Sequence, residues 1–164
     1  MNYRFDKRSK EEFAADIKAS TQAEAVLLNL WLNYTERITG TRPGFRYTGC
    51  GPDDGEFLEN SKVTTHADYE VEGVGLIEVK FSKKLLPKVF HLKVRQVESY
   101  IRQGATILMV NGSDTDSPQF ALISAEALRD IAENCEDIPW QGFGGKRSYK
   151  VPVTRCIWRP LRDE

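Results

Sequence analysis

Two carboxylates and a lysine carry the spacing best suited to chemistry. In the run Leu76–Ile77–Glu78–Val79–Lys80–Phe81 the residue types alternate. Successive strand residues face opposite sides of a sheet, so Ile77, Val79 and Phe81 define an apolar face and Glu78 and Lys80 share the other. His66, Asp68 and Glu70 share one face of the preceding strand. The turn Glu72–Gly73–Val74–Gly75 is short enough to fold Asp68 back beside Glu78. Such a set suits phosphodiester hydrolysis. Two carboxylates hold Mg²⁺ while leaving positions for water and phosphate. A metal there would offset transition-state charge and lower the pKa of a bound water. A neighbouring lysine orients that water or stabilises the developing charge. The plainer reading is an exposed cross-strand ion-pair face, and one Glu-x-Lys does not choose between them.

Those strands need elements around them. A short helix is expected over 9–19, capped by Ser9 with Glu12 three residues on. A second is expected from Thr21 to Ile38, with Leu27, Leu28, Trp31, Tyr34 and Ile38 as its apolar stripe and Gly40 as its stop. Glu24 falls on that stripe. Burial of an unpaired carboxylate is costly, and a metal site or basic partner would resolve it. Equally, Glu24 reads as a first-turn residue favoured by the helix dipole. Residues 40–61 read mostly as loop, with a short strand at Phe45–Thr48. Strands follow at Val63–Val71 and Leu76–Ser82, then a helix over 89–102 ended by Gly104. Strands at Ala105–Val110 and Gln119–Ile123 come next, then a helix from Ser124 to about Asn134. The tail holds Trp140, a glycine-rich turn at Gly142–Gly145 and one or two short strands ending near Trp158. This order predicts a single mixed α/β domain around one central sheet.

On the helix after Lys80, Gln96 and Tyr100 are i, i+4 neighbours with Lys93 adjoining. They could touch a phosphate or base; alone, a solvated face with a half-buried tyrosine is the better reading. His66 could contact DNA or assist a metal, but a lone histidine is more often structural. Lys83, Lys84, Lys88, His91, Lys93 and Arg95 form a basic stretch that becomes a candidate DNA track beside a phosphate-cutting site.

Together these motifs resemble the PD-(D/E)XK, restriction-endonuclease-like nuclease superfamily. Its pattern is a helical Glu, an Asp on one strand and (D/E)-x-K on the next, here Glu24, Asp68 and Glu78–Val79–Lys80. The element order over 21–110 is similar to that family's αβββαβ core, and Gln96-x-x-x-Tyr100 resembles the extra motif of its RecB-like and lambda-exonuclease-like branch. The resemblance covers about half the chain. It departs in His66–Ala67–Asp68, which lacks the usual proline before the aspartate. A literal Pro52–Asp53–Asp54 lies upstream in a glycine-rich loop and is the minor alternative. The resemblance implies Mg²⁺ or Mn²⁺ held by Asp68, Glu78 and the Val79 carbonyl, with Glu24 supporting. It implies Lys80 at the attacking water, and Gln96 and Tyr100 on a DNA strand, with Lys93, His66, Lys83 and Lys84 as further contacts.

Bulk properties fit an enzyme better than a DNA coat. The 164 residues suffice for one domain, spanning 1–164 with a core at about 20–125. Net charge is -1, so any phosphate-binding surface must be a local patch. Three scattered cysteines, Cys50, Cys135 and Cys156, support neither a zinc site nor a disulfide framework. The charged start MNYRFDKRSK has no apolar run behind it, and no stretch reaches the roughly 20 apolar residues of a membrane span. A cytoplasmic, metal-dependent deoxyribonuclease is the expectation, with duplex, single-stranded or branched substrates and a homo-oligomer all open. The rivals are a non-cutting nucleic-acid-binding module of the same fold and a protein-interaction or assembly factor.

Overall fold

The computed structural model describes residues 9–49 and 66–162. Helix α1 spans Lys10–Thr39 and is one element where two were expected. Ser20 and Thr21 do not interrupt it: their helix cost is only tenths of a kcal/mol, and no Gly or Pro stands between the halves. Ser9 and Glu12 form the expected capping box, and Gly40 closes the helix in the left-handed region at φ 80. The buried stripe is Leu27, Leu28, Trp31 and Leu32, while Ile38 is exposed.

Strands β1 (Phe45–Tyr47), β2 (Tyr69–Val71) and β3 (Gly75–Ser82) form an antiparallel meander, with Tyr69 opposite Ile77. Gly73 and Gly75, both at positive φ, make the turn. Residues 66–68 precede β2 and are not strand, and the expected strand residues 63–65 lie outside the described residues, as do Pro52, Asp53, Asp54 and Cys50.

The segment 89–102 is not one helix. Val89–Lys93 is strand β4, and helix α2 runs from Val94 to Gln103. Phe90 and Leu92 are buried and alternate with half-exposed neighbours, a period of two that favours strand once a partner is present. Gly104, at φ 66, ends α2. The chain crosses over to β5 (Thr106–Asn111), parallel to β3, and returns through β6 (Gln119–Ile123). Ser124 caps α3 (Ala125–Asn134) as expected. The tail supplies β7 (Glu136–Pro139), β8 (Arg147–Pro152) and β9 (Arg159–Pro160).

The result is a mixed α/β fold with two sheets rather than one. The central sheet has the order β1-β2-β3-β5-β6-β9, and a smaller sheet has the order β4-β8-β7. The order helix, three strands, helix, strand is present, with β4 inserted ahead of α2. Side chains divide between two cores. Leu28, Trp31, Ile77, Val79, Leu108 and Val110 pack on the α1 side. Phe90, Val97, Ile107, Met109, Leu128 and Val151 pack on the other side, beneath α2, α3 and the small sheet. Among the described residues no helix is long and apolar enough to cross a membrane.

Candidate active site

β3 divides its side chains between the two cores as its alternation requires. Ile77 and Val79 are fully buried on the α1 side. Glu78 and Lys80 sit beside Ile107 and Met109 of β5, on the face that meets α2. They are not an exposed ion-pair face: Glu78 is only 5% exposed. Lys80 Nζ lies 2.8 Å from Glu78 Oε1 and 5.9 Å from the centre of the Tyr100 ring.

Asp68 occupies the bend just before β2, and the register of Tyr69 with Ile77 sets it across from Glu78. Its backbone is held from two directions. The Thr48 and Gly49 N–H groups donate to its carbonyl at 2.7 and 3.1 Å. The preceding Ala67 N–H donates to Gln103 Oε1 at 2.9 Å, and Gln103 Nε2 donates to Ser99 Oγ at 2.9 Å. Gly49 passes so close that a Cβ there would stand 2.7 Å from Asp68 Oδ1, which explains a glycine at that position.

Electrostatics join these groups to Glu24, which lies deep inside α1 and not in its first turn, so the helix-dipole reading falls away. Burial, then the Asp68 and Glu78 charges, push the Glu24 carboxyl up to about 8 against the pull of Lys80. Burial and Glu78 push Asp68 up to about 7. Burial works to lower Lys80, but Glu78, Glu24 and Asp68 overcome it and its pKa is raised, so it remains an ammonium. Tyr100 is 2% exposed rather than half-buried, and burial with the nearby Glu78 carboxylate raises its hydroxyl. The Asp68 carboxyl and the Tyr100 hydroxyl both approach Glu78. Even so, its buried Oε2 has no well-formed hydrogen bond.

Among the described residues no three His, Cys, Asp or Glu side chains form a ready-made metal cage. Mg²⁺ needs less, since it commonly takes one or two carboxylates and keeps several waters. Glu78 Oε2, without a well-formed hydrogen bond, and the facing Asp68 carboxyl fit that requirement. Val79 has no strand partner on its β2 side among the described residues, because β2 pairing stops at Ile77.

The remaining candidates divide. Lys80, Gln96, Tyr100 and Lys93 line one cavity of about 340 Å³ between the central sheet, α2 and the small sheet. His66 is exposed, and its ring Nδ1–H donates to the Ala67 carbonyl at 2.9 Å. Lys83 and Lys84 are exposed in the turn after β3, outside the buried cluster. Sequence reasoning missed two groups. Gln103 and Ser99 steady the backbone at Asp68, an arrangement without a motif. Trp140 and Phe143 line the same cavity beside His91, which the sequence placed only in a basic stretch; β4–β8 pairing across more than fifty residues of chain brings them together.

No family model matches the chain, and neither a curated protein nor a solved structure does so.

Proposed function

We propose that the protein is a Mg²⁺- or Mn²⁺-dependent nuclease that hydrolyses DNA phosphodiester bonds at Asp68, Glu78 and Lys80. The observation that carries this reading is a charge imbalance. Three carboxyls, Glu24, Asp68 and Glu78, surround the Lys80 ammonium beside a cavity, and burial makes their crowding costly enough to raise Glu24 to about 8 and Asp68 to about 7. An ordinary solvated charged face carries no such penalty. Perturbed acids clustered in a cleft are a mark of functional sites, and a divalent cation would relieve this cluster.

Asp68, Glu78 and the Val79 carbonyl would hold the ion, with Glu24 supporting through water. A divalent cation bound there supplies charge neutralisation at the phosphate and a water of lowered pKa. Lys80 keeps its proton, so it serves as a donor and a positive charge, orienting the attacking water or offsetting charge on the phosphate oxygens. Tyr100, buried against Glu78, restrains that carboxylate. Gln96 and Lys93, on the wall of the adjoining cavity, are the groups to meet the substrate strand.

The test is a panel of labelled duplex, single-stranded and branched DNAs incubated with Mg²⁺, Mn²⁺ or EDTA. Cleavage is expected with either metal and not with EDTA. Absence of metal-dependent cleavage on every DNA structure would overturn the proposal.

A further inference from the structure

We infer that the cavity between the central and small sheets is a nucleobase pocket, in which the strand being cut places one unpaired base against Trp140 and Phe143 with its phosphate towards Lys93 and Lys80. This rests on the nuclease reading of the adjoining carboxylate site and narrows its substrate to DNA with an unpaired nucleotide at the point of cutting.

Lys80 belongs to the cavity wall together with Gln96, Trp140 and Phe143, so the space opens onto the reacting centre. Its volume, about 340 Å³, falls at the lower end of the ~300–1,000 Å³ typical of ligand pockets. Its floor is apolar and buried, formed by Phe90, Leu92, Ile107 and Met109. A core selected for stability alone would fill such a space.

Three aromatic side chains stand at the rim of this cavity. Trp140, Phe143 and His91 are half-exposed there. His91 and Trp140 stack with centroids 4.0 Å apart and planes within 4°, and Phe143 meets Trp140 edge-on at 4.6 Å. The array is braced by its own turn: Trp140 N–H donates to the Lys146 carbonyl, and the Phe143 and Gly145 N–H groups donate to the Trp140 carbonyl. Gly142 leaves room for the tryptophan ring, which a Cβ would strike. His91 donates or accepts at Ser148 Oγ, 3.0 Å away, and burial with the Lys150 charge lowers its pKa, so the stack is neutral. Rigid aromatic surfaces beside cations are the common apparatus for binding unpaired bases.

Lys93 Nζ stands 5.0 Å from the Phe143 ring centre. Burial and the charges of Lys146 and Lys80 lower its pKa. Lys93 and Lys80 both line this space, and the repulsion that Lys93 feels from Lys146 and Lys80 is one that a phosphate would relieve.

The test reads binding in EDTA by fluorescence anisotropy of a short labelled oligothymidylate carrying an abasic site at each position in turn. One position is expected to stand out, weakening binding by roughly 5- to 150-fold. Trp140→Leu should weaken the intact strand by a similar factor and lose the response to that abasic position; Trp140→Phe, which keeps a ring, should retain it. A flat scan with wild-type protein, or an unchanged scan with Trp140→Leu, overturns the pocket. Equal displacement by thymidine monophosphate would assign it to a free nucleotide and overturn the strand reading. The metal panel is run in parallel. Cleavage with a flat scan rejects the pocket alone, and a position-specific scan without cleavage rejects the nuclease alone.

Discussion

β3 and β5 lie side by side, parallel and in register, and on the α1 face they are built alike: Ile77 and Val79 of one, Leu108 and Val110 of the other, all buried. On the opposite face they part. β5 offers Ile107 and Met109, and β3 offers Glu78 and Lys80 at the same levels. A strand buried on both faces reads as a continuous apolar run, as β5 does. The fold therefore has no structural need of charge at these levels, since its neighbour manages with two hydrocarbon side chains. Charge is kept where it raises the pKa of Asp68 and Glu24 and leaves Glu78 Oε2 without a well-formed hydrogen bond, which is the behaviour of a site rather than of a core.

The strongest way to break that contrast is Lys80→Met, which gives β3 the side chain β5 carries at that level. On the proposed mechanism the single-turnover cleavage rate should fall by about 10²–10³-fold, the scale for losing one transition-state charge partner. DNA affinity measured in EDTA should stay within a few-fold. Unchanged cleavage would remove this strand from the chemistry. The matching change on the shared apolar face is Leu108→Ala. It should cost ~2–5 kcal/mol in urea denaturation through lost transfer energy and a cavity, with cleavage per folded molecule unchanged. A large loss of activity in the folded fraction would show that the two faces are not separable.

A smaller effect tests whether the charged face is strained without metal. Glu24 and Asp68 have folded-state pKa values raised to about 8 and about 7. The fold then binds their protons more tightly than the unfolded chain. Stability from this source is fully present below about pH 4 and is lost as pH rises through 7 and 8. In EDTA the melting temperature should thus fall by several degrees between pH 5 and 8. Asp68→Asn or Glu24→Gln should flatten the decline, because each mimics the protonated form. Mn²⁺ should flatten it in wild type and not in Asp68→Asn. A melting temperature that climbs over this interval would contradict the crowding of the three acids.

Much of this was readable in the chain because its signals were local. The alternation at Leu76–Phe81 and the short turn before it placed Glu78, Lys80 and Asp68 together, and Gly40, Gly104 and Ser124 marked helix ends where they occur. What escaped had no local signal. Ser20 and Thr21 resembled a break, but the residues flanking them favour helix and carry α1 through. Val89–Lys93 reads as helix in the sequence, and it is a strand because β8, far along the chain, pairs with it and creates a second sheet. The same pairing made the aromatic cavity, so Trp140 could not be tied to Lys80 from sequence. Glu24 was recognised as out of place on its stripe, but its partners come from other elements.

The smallest effect concerns how the two sides of the site are joined. Gln103, the last residue of α2, accepts from the Ala67 N–H at 2.9 Å and donates to Ser99 Oγ, tying the helix over the cavity to the backbone that carries Asp68. Ala67 is fully buried, so Gln103→Ala strands an amide at a cost of about 1–3 kcal/mol. A merely structural role would end there. If Gln103 positions Asp68, the variant should also bind Mn²⁺ several-fold more weakly by calorimetry, since a ligand on a looser backbone loses more entropy on binding. The cleavage rate at saturating metal should stay near wild type, because neither Lys80 nor Glu78 moves. Gln103→Glu keeps an acceptor for the Ala67 N–H, so it should restore most of the metal affinity. Weaker stability with unchanged Mn²⁺ affinity would confine Gln103 to the fold. It would then leave the Thr48 and Gly49 amides as the restraint on Asp68.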